Sequence, residues 1–160
     1  MQMETGSAVV RPPGLAPTGD RRAPASTAAA DDAEFAAMRS AYHAAGGFAR
    51  GDDLARVLED FGRGNLASLG RMVVAGEVFG FEWRHTLWIP MFQFSPDLGL
   101  KPGLKAVLAE LVSEYDGRRL AEWFVEPNGW LDEARPIDVL DSNPEEVLQA
   151  ARADRFVATG

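Results

Sequence analysis

The chain has 160 residues, with 24 Asp and Glu against 16 Lys and Arg, a formal net charge of −8, and no cysteine. That length suits one domain or two small helical lobes sharing a core. Disulfides and thiolate metal sites are excluded by the missing cysteine, and no stretch approaches the roughly 18 apolar residues of a membrane span.

The N-terminus lacks a basic segment leading into an apolar stretch and a cleavage site, and thiol-free chains suit a reducing compartment, so a cytoplasmic protein is expected. The charge is uneven: residues 1–94 hold 11 acids against 9 arginines, net −2, and residues 95–160 hold 13 acids against 7 cations, net −6. The C-terminal part would repel a phosphate backbone, so any contact with nucleic acid is expected from the N-terminal part.

Residues 1 to about 30 are rich in Pro, Gly, Ala, Ser and Thr and show no apolar periodicity. Such a segment cannot bury enough apolar surface to offset its ordering entropy, so it reads as a flexible arm. Its Arg11, Arg21 and Arg22 could brush DNA, although a solvated tail is the plainer reading. Order is expected from Asp31. There "DDAEFAAMRSAYHAAGG" places acids first, Phe35, Met38 and Tyr42 at helical spacing, and a glycine pair last. "GDDLARVLEDFG" sets Leu54, Val57, Leu58 and Phe61 on one predicted helix face. "LASLGRMVVAG" follows as a third helix with Leu66, Leu69 and Val73. Two short helices joined by a glycine-containing turn have helix-turn-helix dimensions. Arg63, Asn65, Ser68 and Arg71 are then the candidate DNA-contacting residues, being types that reach phosphates and base edges. A plain scaffold of two helices is the competing reading.

The period then changes. "EVFGFEWRHTLWIPMFQF" alternates like a β-hairpin turning near Arg84 and His85, with Pro90 confining the second strand to an edge or a bulge. "KPGLKAVLAELVSEYDG" is a helix with Pro102 in its first turn and a stripe of Leu104, Val107, Leu108, Leu111 and Tyr115. "RRLAEWFVE" adds a shorter helix with Leu120, Trp123 and Phe124 on one face, stopped by Pro127. The last helix has Asn143 as N-cap, Pro144 at its first position and Glu146 at its third, and the closing "RFVATG" is expected to fray.

Catalytic and metal signals are sparse. His43 and His85 are about forty residues apart and have no partner at metal-ligand spacing, and no nucleophile elbow, P-loop or dinucleotide fingerprint is present. Asp132, Glu133 and Asp138 read as a solvated loop rather than an acid–base pair. No catalytic residue, metal or cofactor is expected.

Between residues 123 and 140, "WFVEPNGWLDEARPIDVL" joins two tryptophans through a Pro-Asn-Gly turn. Proline stops the helix, and Asn and Gly tolerate left-handed geometry. Trp123 lies on the apolar stripe. Trp130 either caps the small core or stands as a partly exposed anchor of the kind enriched at interface hot spots. Arg135 bridges an acid in its own loop or one on a partner.

"WIPMFQF" at residues 88–94, the long helix, this turn and the final "VLQAARA" together resemble the Xre/MbcA/ParS toxin-binding domain of bacterial type II antitoxins. Trp123, Pro127, Asn128, Leu131, Pro136 and Leu140 match that pattern position by position, and the family glycine falls on Glu133, where a positive φ would be costly. The resemblance covers about half the chain. It implies an antitoxin whose partner is a RES-domain enzyme that consumes NAD, with operator binding and autorepression by the N-terminal lobe. The toxin-binding residues it points to are Pro127, Asn128, Trp130, Arg135, Arg155, Phe156 and Gly160. If the tail enters an NAD pocket, the terminal carboxylate of Gly160 would take a phosphate site and Phe156 would fill apolar space; a frayed tail with no role is the other reading.

The expected fold is thus mainly α: a disordered arm over 1–30, a helix-turn-helix-like lobe with a short β-hairpin over 31–94, and a helical toxin-binding lobe over 95–160. The protein is expected to bind rather than catalyse. A homodimer is expected, with the apolar hairpin as its surface. The alternative is a DNA-binding transcriptional regulator with no toxin partner.

Overall fold

A computed structural model describes residues 22–160. The chain divides into two units, residues 1–34 and 35–160. The first is helical in its described part, because helix α1 runs Arg22–Tyr42. Residues 1–21 of the expected arm lie outside the described residues. Arg22 to Ala30, expected within the flexible arm, are helical, which suits the alanines at 23, 25, 28, 29 and 30, alanine being the strongest helix former.

The second unit is mainly helical with a small antiparallel sheet. It continues with β1 (Phe48–Arg50), α2 (Gly51–Asp60), α3 (Leu66–Val74), β2 (Phe81–Trp83) and β3 (Thr86–Pro90). After these come α4 (Leu104–Leu111), α5 (Gly117–Val125), α6 (Pro136–Val139) and α7 (Pro144–Thr159). The strand order is β1-β3-β2. The hairpin turns at Arg84 and His85, both at positive φ, +49° and +59°, which is the backbone of a tight two-residue hairpin turn. Arg84 lies over the Trp83 ring, 4.6 Å from its centroid.

The sheet, α2 and α4 also differ from the sequence reading. β3 is the central strand, flanked by β1, which is too short for its alternation to be legible. Pro90 is tolerated because it lies beyond the last β2 pair, Phe81 with Trp88, and has a strand neighbour, Phe48, on one side only. The α2 face is rotated: Gly51, Leu54, Ala55 and Leu58 are buried, whereas Val57 and Phe61 are exposed. Helix α4 ends at Leu111, short of Tyr115, and Pro102 stands before its N-cap, Gly103.

The core does not part at residue 94. One cluster joins Phe35, Tyr42, Phe79, Phe81 and Phe92 to Leu104, Val107, Leu108 and Leu111 of α4, Trp123 and Phe124 of α5, and Val147 and Ala151 of α7. A smaller cluster gathers Leu54, Leu58, Leu69, Val78, Ile89 and Phe94 under α2 and α3. The four α4 residues are completely buried, and each such side chain contributes about 2 kcal/mol of transfer free energy. The Tyr42 hydroxyl donates to the Ala121 carbonyl at 2.7 Å, tying α1 to α5, and burial pushes its pKa far above the ordinary phenol value. Gly117 opens α5 against the sheet, where a Cβ would overlap the Gly80 carbonyl oxygen. Among the described residues no helix is long and apolar enough to cross a membrane.

Gln93 is fully buried and replaces backbone pairing at the point where the chain leaves the sheet. Its Oε1 accepts from the Phe79 N–H, and its Nε2 donates to the carbonyls of Phe79 and Pro90, all at 2.9 Å. Gln93→Leu keeps the volume but leaves these three backbone groups without that partner, so urea unfolding should show a loss of about 2–4 kcal/mol. A loss under about 1 kcal/mol would mean that the backbone groups find other partners.

Candidate partner-binding surface

The turn after α5 is built around one carboxylate that the sequence reading did not single out. Asp154, on α7, receives three N–H donors. Oδ2 accepts from Trp123 Nε1 at 2.7 Å and from Asn128 Nδ2 at 2.9 Å, and Oδ1 accepts from Trp130 Nε1 at 3.0 Å. Asn128 Oδ1 in turn accepts from the Trp130 backbone N–H at 2.9 Å, closing an Asx turn. Trp123 is core, as its stripe position implied, at 3 % exposure, whereas the ring of Trp130 is 59 % exposed. Trp130 is therefore an exposed aromatic whose polar edge is fixed.

The loop backbone is equally constrained. Asn128 N–H donates to Ala134 O, and the Asn128 carbonyl accepts from Leu131 and Glu133 N–H. Asp132 and Glu133 both take left-handed φ, +54° and +65°. The glutamate at the glycine position of the family pattern thus adopts the costly conformation, at roughly 1–2 kcal/mol, and the crossed hydrogen bonds to Asn128 hold it there. Leu131, Pro136, Ile137 and Leu140 are buried and anchor the loop to the core. Trp123, Asn128, Trp130 and Asp154 line a shallow cleft of about 220 Å³ with Arg119 and Glu126.

Residues expected to bind a partner fall into three places. Pro127, Asn128 and Trp130 share the Asp154-centred turn. Arg135 makes a two-pronged bridge to Asp138, at 2.8 and 3.0 Å, within its own loop. Arg155, Phe156 and Gly160 belong to the end of α7, which does not fray: helix continues to Thr159, with Gly160 as its C-cap. The reason is Glu110 on α4, whose carboxylate accepts from Arg152 at 3.1 Å and from Arg155 at 2.8 Å. Phe156 and Val157 project from this fixed end, 79 % and 67 % exposed.

The four candidate DNA-contacting residues do not form one donor set. Arg63 pairs with Asp97 at 3.1 Å. Asn65 and Ser68 cap α3 reciprocally: Ser68 N–H donates to Asn65 Oδ1, and Asn65 N–H donates to Ser68 Oγ. Arg71 is exposed in the last turn of α3. His85 is fully exposed at the hairpin tip, 3.8 Å from Glu82. Compared with family models, curated proteins and solved structures, the chain gives no match.

Two tests follow from the geometry. Asp154→Ala should cost about 2 kcal/mol, since hydrogen bonds to a charged acceptor contribute about 1.5–3 kcal/mol, and should speed amide exchange over residues 128–134; unchanged exchange would show that the loop holds itself. The hydrogen bonds from Arg155 and Arg152 hold the Glu110 pKa below its ordinary value of 4.5. A lowered folded-state pKa means that this stabilisation is complete above pH 4.5 and is lost as pH falls through the lowered value. Amide protection over residues 152–159 should drop in that window, and Glu110→Gln should remove the pH dependence.

Proposed function

We propose that the chain is a cytoplasmic antitoxin that binds and blocks a RES-type, NAD-consuming toxin through the turn at residues 127–131 and the end of α7. The observation that carries this reading is the Asp154 arrangement. One carboxylate fixes an exposed tryptophan on a rigid loop, and the same helix continues to an exposed Phe156 and Val157. A large aromatic held in place before contact loses little entropy on binding, which favours affinity. The order of Trp123, Pro127, Asn128, Leu131, Pro136 and Leu140 supports the same reading through its resemblance to the toxin-binding domain of such antitoxins. The helical state of residues 155–159 changes the picture of the tail. A rigid helix end, rather than a frayed strand, would meet the toxin, with Arg155 already paired to Glu110.

The core of α7 ends at Ala151, so a chain shortened to Arg155 loses exposed side chains and keeps its packing. The tagged full chain, purified from its native organism, should bring down a stoichiometric NAD-consuming enzyme in an inhibited state. The chain ending at Arg155 should inhibit that enzyme at least tenfold less well, equivalent to about 1.4 kcal/mol. Full inhibition by the shortened chain would remove the tail from the mechanism. Absence of any such enzyme would overturn the antitoxin reading in favour of a DNA-binding regulator, which a promoter-binding assay would then test.

A further inference from the structure

The hairpin, expected as a contact surface, turns Phe81 and Ile89 inward and stacks Trp83 on Phe35 at 4.0 Å. Trp130 is the aromatic that stands clear of the core in a fixed setting, and it lines the cleft of about 220 Å³ with Tyr115, Arg119, Glu126 and Asp154. That volume lies below the roughly 300–1,000 Å³ of ordinary small-molecule sites and suits one inserted side chain.

Arg119 shows how this cleft treats a cation. Its guanidinium lies over the Tyr115 ring, 5.2 Å from the centroid, and donates to Glu126 at 3.0 Å and to Glu122 at 3.4 Å. Trp130 and Asp154 supply the same two parts, a ring face and a carboxylate. All three donors to Asp154 are neutral N–H groups, and Arg152 and Arg155 of the same helix are turned to Glu110. An indole N–H points in the plane of its ring, so Asp154 Oδ1, 3.0 Å from Trp130 Nε1, stands at the edge of that ring. This oxygen accepts one hydrogen bond and has capacity for another. A guanidinium laid flat on the indole can direct an in-plane N–H at an oxygen on the ring's edge, whereas an ammonium has no plane with which to do both. The net −6 of residues 95–160 draws a basic partner surface toward the cleft.

We infer that the cleft takes an arginine side chain of a partner protein, stacked on Trp130 and hydrogen-bonded to Asp154. Resting on the antitoxin reading, this makes the arginine one that the toxin presents.

The test is a nuclear magnetic resonance titration of the full, isotope-labelled chain with N-acetyl-arginine methylamide, up to about 50 mM at constant ionic strength, beside the lysine and citrulline counterparts. The Trp130 indole and Asn128 side-chain amide signals should move saturably with arginine, at least threefold more weakly with lysine, and not at all with citrulline, which keeps the shape and lacks the charge. Trp130→Ala and Asp154→Asn should each weaken arginine binding at least fivefold, with the Trp123 indole signal retained as the mark of an intact fold. Arginine binding no tighter than lysine binding, or indifferent to both substitutions, overturns the inference. Because the probe reads the cleft without any toxin, the two readings fail separately. Arginine binding with no NAD-consuming enzyme recovered from the native organism overturns the toxin assignment alone, and recovery of that enzyme with no arginine binding overturns the cleft assignment alone.

Discussion

Asp154 makes a helix, a loop and a second helix into one object. Its carboxylate lies on α7, one of its donors is the core tryptophan of α5, and the other two come from the connecting turn. Neither donor tryptophan has an equivalent partner in reach along its own element, because a helix saturates its backbone groups internally and an indole N–H can only donate. A single acid one turn beyond the buried part of α7 therefore fixes how far the loop stands from the core and which way Trp130 faces. The Glu110 pair with Arg152 and Arg155 does the corresponding work on the other side of α7. Between them the two carboxylates explain why a helix whose buried residues stop at Ala151 stays helical to Thr159.

The loop also shows where strain and its compensation meet. Two successive non-glycine residues at positive φ cost a few kcal/mol together. Against that stand the Asx turn of Asn128, the crossed backbone bonds to its amide and carbonyl, and the burial of Leu131 and Ile137 at the loop's ends. The strain fixes a short, closed turn that a relaxed extended loop would not form, and the closed turn is what keeps Trp130 on the surface instead of folding it into the core.

Much of the fold was legible because helices advertise themselves by period and by caps. Asn143, Pro144 and Glu146 begin α7 as read, the stripe of α4 is wholly buried, and the hairpin turns at Arg84 and His85. The failures have local causes. Strand β1 is three residues long, below the length at which alternation can be counted. On α2 the buried face is displaced around the helix from the apolar set Leu54, Val57, Leu58 and Phe61, so Gly51 and Ala55 are buried in place of two larger residues. The small residues of the tail predict fraying, and what holds it, Glu110, lies over forty positions away. The same blindness hid Asp154: nothing in a lone aspartate on an exposed-looking helix signals three donors 24 to 31 residues upstream. Trp123, Pro127 and Asn128 were visible as a pattern, and the residue that gives the pattern its geometry was not.

The distribution of surface charge limits how the two exposed apolar regions can be used. The C-terminal residues 95–160 carry net −6, yet the end of α7 presents two arginines beside Phe156, both paired to Glu110. The helix end thus sets exposed Phe156 and Val157 beside arginines whose charge Glu110 and Asp154 balance. On α3 the situation is reversed. A recognition helix needs polar side chains free to reach bases, but here Asn65 and Ser68 are committed to the cap and the outward face shows Leu66 and Val74. Desolvating such a face against the phosphate-lined walls of a groove is unfavourable, whereas desolvating it against a matching apolar face is favourable.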